Sequence, residues 1–352
     1  MNSIDLIKDL SCAFGAPGFE DDVVKVASRY LPSGYRCETD SLLNLYMYKE
    51  KWDQSLPTLL IDAHSDEVGM MVRAIKPNGT IAFTTLGMWS PAVLSAQKVL
   101  IKNTDGDFIT GIIASKPPHF VQKDEEVGID SLIIDIGATS KQEVEEHFKI
   151  SIACPIVPDT QFDYFVDEDI MMSKAFDCRL GCAAVLEVLD NLKELSLKIN
   201  IVGVLSAQEE IGIRGAKVVA NKVRPDICIA FEGTPADDTF AHKHFIQTRL
   251  KKGPMLRHID QGMITNPRFM RFAIETAAKH GIPMQQAVRT GGSTNGAAYH
   301  LSNLGVPTII VGHPVRYAHS HNSIATLGDY KNGVALATEI AKVLDLQSIQ
   351  TF

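Results

Sequence analysis

No stretch of this chain stays apolar for the roughly 20 residues that span a bilayer, so the sequence offers no membrane-crossing segment. A basic surplus is missing too: 34 Lys and Arg stand against 42 Asp and Glu, a formal net charge of -8. With nothing to draw in a phosphate backbone or an anionic lipid surface, nucleic-acid and membrane partners are excluded. The opening MNSIDLIKDLSCAF lacks the basic start and unbroken apolar stretch of a secretory signal. Six cysteines (Cys12, Cys37, Cys154, Cys178, Cys182 and Cys228) form no CxxC pair and read as reduced, mostly buried thiols. Together these absences point to a cytoplasmic protein. The glycine-rich TGGSTNG at 290–296 lacks the lysine and the spacing of a phosphate-binding loop, and there is no internal repeat or low-complexity tract.

What is present is ample core material, 45% of 352 residues, comfortable for two domains. Helical patterning over the first thirty residues gives way to strand-like LLNLYMYK and PTLLIDA. From about residue 70 to 165 the texture changes to short β-like runs broken by turns, with one helical piece, SKQEVEEHFK. After residue 170 strands and helices alternate again, from the helix DCRLGCAAVLEVLDNLKEL to the closing helix GDYKNGVALATEIAKVLDL. Alternation of this kind predicts an α/β fold: a mainly parallel mixed sheet with helices on both faces. The parse is one catalytic domain, residues 1–69 and 166–352, interrupted by a small β-rich domain at 70–165.

In open α/β sheets ligands bind beyond the carboxyl ends of the strands. The residues that follow the apolar runs are alike in chemistry: His64 and Asp66 after TLLIDA, Glu209 and Glu210 after IVGVLSAQ, Glu232 after ICIAF, and His319 after IIVGHPVRYA. Asp177 opens the helix that begins DCRLG. Each has a plain structural reading by itself, Asp177 as a helix N-cap for example. Together, so many carboxylates at one sheet edge repel one another unless cations neutralise them. Imidazole and carboxylate without thiolate suit Zn, Co or Mn, and two His with three carboxylates fit two ions that activate a shared water. One carboxylate must stay off the ions to take the proton, and adjacent residues such as Glu209 and Glu210 leave a strand in different directions. Asp66 is spaced to accept the second imidazole N–H of His64. On spacing alone, His313 and His321 compete with His319.

The strings DAHSDEVGMMV, FDCRLGCAAVLEVL, SAQEEIGIRGA, FEGTPADD and GHPVRYAHSHNS resemble the tetrahedral aminopeptidase family, dinuclear metallo-aminopeptidases related to deblocking and glutamyl aminopeptidases. The likeness runs nearly the whole chain, and LGMWSPAVLSAQKVLI and GIIASKPPHF resemble that family's oligomerisation domain. The resemblance implies a zinc-exopeptidase-like fold with two divalent ions per subunit, one on His64, Asp177 and Glu232, the other on Asp177, Glu210 and His319. Asp177 would bridge, Glu209 would be the general base, and Asp66 the residue behind His64. It further implies hydrolysis of amino-terminal residues from peptide substrates, and a homo-oligomer, a tetrahedral dodecamer built from dimers.

Some positions depart from that pattern: Ser65 and Cys178 stand where the family usually has Met and often has Asp, Glu232 where many members have Asp, and Thr294 and Asn295 at a step that is commonly acidic. The last pair bears on the substrate pocket. His119 reads as a structural or interface histidine more readily than as a site residue. Arg249, Lys251, Lys252 and Arg316 are cationic candidates for receiving an acidic substrate side chain, although surface solvation accounts for most of them. On the same fold a dinuclear deacylase, a glycoside hydrolase or a catalytically silent assembly protein are the competing readings. Glycosidase chemistry needs two metal-free carboxylates where only Glu209 is free, and a silent protein would be expected to lose ligands or base.

Overall fold

The apolar runs that precede the acidic strand ends fold into neighbouring parallel strands of one large sheet. The computed structural model describes residues 1–120 and 128–352. In chain order the strands are β1 (Tyr35–Thr39), β2 (Leu45–Lys49), β3 (Thr58–His64), β4 (Gly69–Ile75), β5 (Ile81–Leu86), β6 (Lys98–Lys102), β7 (Phe108–Ala114), β8 (Ile133–Asp135), β9 (Pro155–Pro158), β10 (Asp163–Phe165), β11 (Ile170–Ser173), β12 (Asn200–Ser206), β13 (Ile227–Pro235), β14 (Met255–Ile259), β15 (Gln285–Val288), β16 (Thr308–Val315) and β17 (Ser323–Ala325). The helices are α1 (Ser3–Cys12), α2 (Asp21–Arg29), α3 (Phe176–Leu192), α4 (Arg214–Val223), α5 (Pro267–His280), α6 (Gly296–His300), α7 (Leu327–Val343) and α8 (Leu346–Ile349).

The large sheet has eight strands in the order β1-β2-β12-β3-β13-β16-β14-β15. Its centre, β12-β3-β13-β16, is parallel, and antiparallel pairings enter at β1-β2, β2-β12 and β16-β14. Alternation along β3 sends Leu59, Ile61 and Ala63 into the core shared with α1, α3, α5 and α7. Leu60 faces the other way, with Val202 and Val204 of β12, Ala216 and Val219 of α4 and Tyr299 of α6. Each such fully buried aliphatic side chain contributes about 1.5–3 kcal/mol. Burial on both faces is why these strands read as nearly unbroken apolar runs. Helix ends follow local chemistry as well. The Asn266 side chain accepts from the N–H groups of Arg268 and Phe269, Pro267 occupies the first turn of α5, and Gly281 closes it at φ 65°.

The inserted strands close into a barrel, β4-β5-β8-β7-β6-β9, around Val72, Ile81, Phe83, Val99, Ile101, Ile113, Ile134 and Ile156. Closure removes the free strand edges that so short a β unit would otherwise present. Barrel pairing runs from Gly69 to Pro158, whereas Asp163–Phe165 joins β11 and β17 in a separate three-stranded sheet. The short helical piece expected over SKQEVEEHFK is present and takes π-helical form over Glu143–His147, where only Val144 is buried. Strand β1 was not expected, because only Tyr35 of its five residues is buried and no alternation shows in the sequence. Among the described residues no helix is long and apolar enough to cross a membrane.

Candidate active site

At the carboxyl end of the parallel strands lies a cavity of about 650 Å³ whose lining includes His64, Asp177, Glu209, Glu210, Glu232 and His319. Asp177 stands at its centre. It sits at the start of α3 but with φ -90° and ψ 103°, outside the helical range, so its carboxylate is turned away from the helix and caps nothing. Oδ1 lies 3.2 Å from Nε2 of His64, and Oδ2 lies 3.4 Å from Nε2 of His319. Glu232 Oε2 is 3.7 Å from the first of these rings, and Glu210 Oε1 is 3.5 Å from the second. Such an approach requires Gly233, since a Cβ there would fall 2.4 Å from the Cα of Asp177.

Both rings are fixed from behind. His319 Nδ1 donates to the carbonyl oxygen of Met88, 3.0 Å away, in the segment between β5 and β6, so the inserted barrel supplies a backbone atom to the site. His64 Nδ1 donates to the backbone oxygen of Asp66 at 3.1 Å, while the Asp66 carboxylate stands 3.4 Å off. The same carboxylate also accepts from the N–H groups of Glu209 (2.9 Å) and Glu210 (3.0 Å). In either case the Nδ1 bond fixes the ring and leaves Nε2 facing the cavity.

Burial raises the carboxyls of Glu209 and Glu210 to about 8 and carries that of Glu232 well above the usual range. It opposes ionisation of Asp177 as well, but hydrogen bonds with His319 and His64 outweigh it and hold that carboxyl well below its ordinary value. Burial would depress His319; Glu210 and Asp177 override it and push the ring to about 10. Oε1 of Glu210 and Oε1 of Glu232 are buried with no hydrogen-bond partner, and an unsatisfied buried acceptor costs about 1–3 kcal/mol. Ligand atoms of Asp177, Glu210 and His319 lie within 4.8 Å of one another, as do those of His64, Asp177, Glu232 and Cys178. The Cys178 thiol donates to the Phe231 carbonyl at 3.3 Å. Donor set, orphaned oxygens and spacing all fit divalent cations with nitrogen and oxygen ligands.

The three competing histidines separate by position. His313 lies within β16, stacked on Phe231 with ring centroids 5.4 Å apart, and burial pushes it down to about 3. His321 packs against Trp89. Neither lines the cavity. His119, exposed in the short turn Pro118–Phe120, is not among the lining residues either.

A family model described as M42 glutamyl aminopeptidase matches residues 44–336. The chain belongs to that family. It is 32% identical to a glutamyl aminopeptidase of Lactococcus lactis over 99% of this chain and 98% of the relative. Its structure superposes with a TM-score of 0.94, at 34% identity and 99% coverage of both chains, on a TET aminopeptidase from the marine sediment archaeon Thaumarchaeota archaeon SCGC AB-539-E09. A Pyrococcus horikoshii TET1 peptidase that assembles into a tetrahedron or a large octahedral shell matches at TM-score 0.87 and 25% identity, over 97% of this chain and 100% of that one. The protein is thus an aminopeptidase, a hydrolase of the exopeptidase kind.

The rest of this M42 cavity was not legible beforehand. Its lining includes Arg257, Arg289 and the loop Thr290–Thr294, and none of Arg249, Lys251, Lys252 or Arg316. Arg316 is spent on Asp238 at 2.6 Å. Arg257 bonds Asp260 at 3.0 Å and Thr234 at 3.2 Å and keeps a buried Nε without a partner, while Arg289 pairs with Asp237 at 3.0 Å. Both guanidinium groups line the same cavity as the carboxylates, and each is already paired with an aspartate. Asn295 does not line the cavity; its amide donates to Asp62 (2.8 Å) and Ser206 (2.7 Å) and ties the pocket loop to the ends of β3 and β12.

Proposed function

We propose that this chain removes amino-terminal residues from peptides with two divalent ions per subunit, Zn, Co or Mn. His64, Asp177 and Glu232 hold one ion, Asp177, Glu210 and His319 the other. The observation that carries this reading is the split of Asp177, one oxygen toward each of two imidazoles at 3.2 and 3.4 Å. A pair of bound cations supplies a polarised carbonyl and a water of lowered pKa near neutrality. Glu209 does what the protein itself must do: kept off both ions, it takes the proton of the attacking water and returns it to the leaving amine. Asp66 holds the backbone of that residue, and the Nδ1 bonds of His64 and His319 keep the Nε2 lone pairs available.

Stripping the protein with chelator should abolish release of aminoacyl-anilides, and adding back Zn, Co or Mn one at a time should restore it. Full turnover by protein whose metal content is shown by mass spectrometry to be nil would overturn the reading. We further propose that residues 70–165 act as an assembly domain for a homo-oligomer, a tetrahedral dodecamer of dimers, working in the cytoplasm. The tetrahedron named for the Pyrococcus horikoshii relative supports this, and so do exposed apolar residues of the insertion, Met88, Phe108 and Ile112.

A further inference from the structure

The loop GAPGFE between α1 and α2 is absorbed by nothing in the reaction described so far. Its last residue, Glu20, is completely buried. Glu20 Oε1 accepts from the N–H of Gly18 at 2.9 Å and from the N–H of Gln208, 188 residues along the chain, at 3.1 Å. The other oxygen, Oε2, has no partner.

Gln208 precedes Glu209, and its φ of 57° is left-handed. Here the N–H groups of Gln208, Glu209 and Glu210 are taken by Glu20 Oε1, Asp66 Oδ1 and Asp66 Oδ2, at 3.1, 2.9 and 3.0 Å. The turn that carries Glu209 lies between β12 and α4. Its carbonyl oxygens at Ala207, Gln208 and Glu209 accept from the N–H groups of Gly215, Arg214, and Gly212 and Ile213, whereas the N–H groups of Gln208, Glu209 and Glu210 are held by the two buried carboxyl groups. The loop that brings Glu20 in is itself fixed, since Gly15 O accepts from the Glu67 N–H at 2.9 Å and from Arg179 at 3.4 Å.

We propose that Glu20 is a positioning residue for Glu209: it sets the backbone turn from which the Glu209 side chain enters the cavity. This rests on the reading of Glu209 as the proton carrier. Loss of the acceptor frees the Gln208 N–H and lets the turn relax, and displacement of a reacting group by an ångström costs about 100-fold in rate.

The test uses full-length, metal-replete enzyme. Glu20→Ala is expected to lower kcat about 100-fold, with KM and metal content as in wild type. Glu20→Gln, which retains an acceptor oxygen at the same reach, is expected to stay close to wild type. In the Glu209→Gln background, Glu20→Ala should cause no further loss, because the two act through one group. If the alanine variant does not fold, Glu20→Asp keeps the carboxylate but withdraws it by one methylene, and should lower kcat at unchanged KM and metal content. The proposal is overturned by wild-type kcat in a folded Glu20→Ala or Glu20→Asp variant. It is equally overturned if loss of metal explains the defect, if Glu20→Gln is as impaired as Glu20→Ala, or if the losses with Glu209→Gln add. Failure of the underlying reading looks different: Glu209→Gln would itself turn over.

Discussion

Glu209→Gln should lower kcat by about 10²- to 10⁴-fold, the usual contribution of a general acid or base, while the protein keeps its full complement of metal. Glu210→Gln, one residue away, should instead lose metal first and activity as a consequence. The two side chains begin from a common support, since both N–H groups are received by the Asp66 carboxylate, and they part from there. Glu210 sends Oε1 to 3.5 Å from His319 Nε2, where the oxygen is buried without a donor, as a ligand waiting for a cation would be. Glu209 has an oxygen within 4.8 Å of ligand atoms of His64 and Glu210, and is not grouped in that way with Asp177 and His319. Steady-state kinetics on an aminoacyl-anilide, with metal measured by mass spectrometry after desalting, separates the outcomes. Equal metal loss in both variants, or turnover by Glu209→Gln near the wild-type rate, would contradict the division of labour.

The second large effect is on stability. Glu67 follows Asp66 by one residue and meets Lys174 at 2.5 Å and Arg179 at 3.3 Å, with all three side chains at 3% exposure or less. Arg179 also donates to the carbonyl oxygens of Ser65 (2.8 Å), Leu10 (2.6 Å) and Ala13 (3.0 Å), so one guanidinium ties the end of α1 and the segment after β3 to α3. Removing one member of a buried ion group leaves an uncompensated charge and costs about 3–5 kcal/mol. Glu67→Gln should therefore lower the melting temperature clearly, and Lys174→Met added to it should recover part of the loss by removing a stranded cation. A melting temperature unchanged in Glu67→Gln, or lowered further by the second substitution, would show that the network is not what fixes the loop carrying His64 and Asp66.

Why some of this could be read in advance and some could not has a physical basis. The runs TLLIDA, KINIVGVL and ICIAF are buried on both faces, so their composition announces central strands, and the residues that follow them include His64, Glu209, Glu210 and Glu232, which meet at one edge. Asp177 could be named, yet its non-helical backbone at the start of a helix could not, and a sequence cannot tell a cap from a carboxylate turned into a cavity. His313, His319 and His321 were equivalent by spacing. The family resemblance picks His319, and the fold gives the physical reason, holding the first inside β16 against Phe231, the last against Trp89, and the middle one at φ 58° over the cavity. Met88, Arg257 and Arg289 line the cavity from distant segments through contacts that leave no local pattern. Asp66 was legible as a partner of His64 but not as the acceptor for two backbone N–H groups, because that role depends on the conformation of a turn more than a hundred residues away.

The central claim is that two cations share Asp177 while Glu209 stands free. Anomalous diffraction from crystals of the metal-loaded enzyme tests it most directly. Two peaks per subunit are expected, one among His64, Asp177 and Glu232 and the other among Asp177, Glu210 and His319, with no Glu209 oxygen bound to either. A single peak, or a peak coordinated by Glu209 in place of Glu210, would contradict the account.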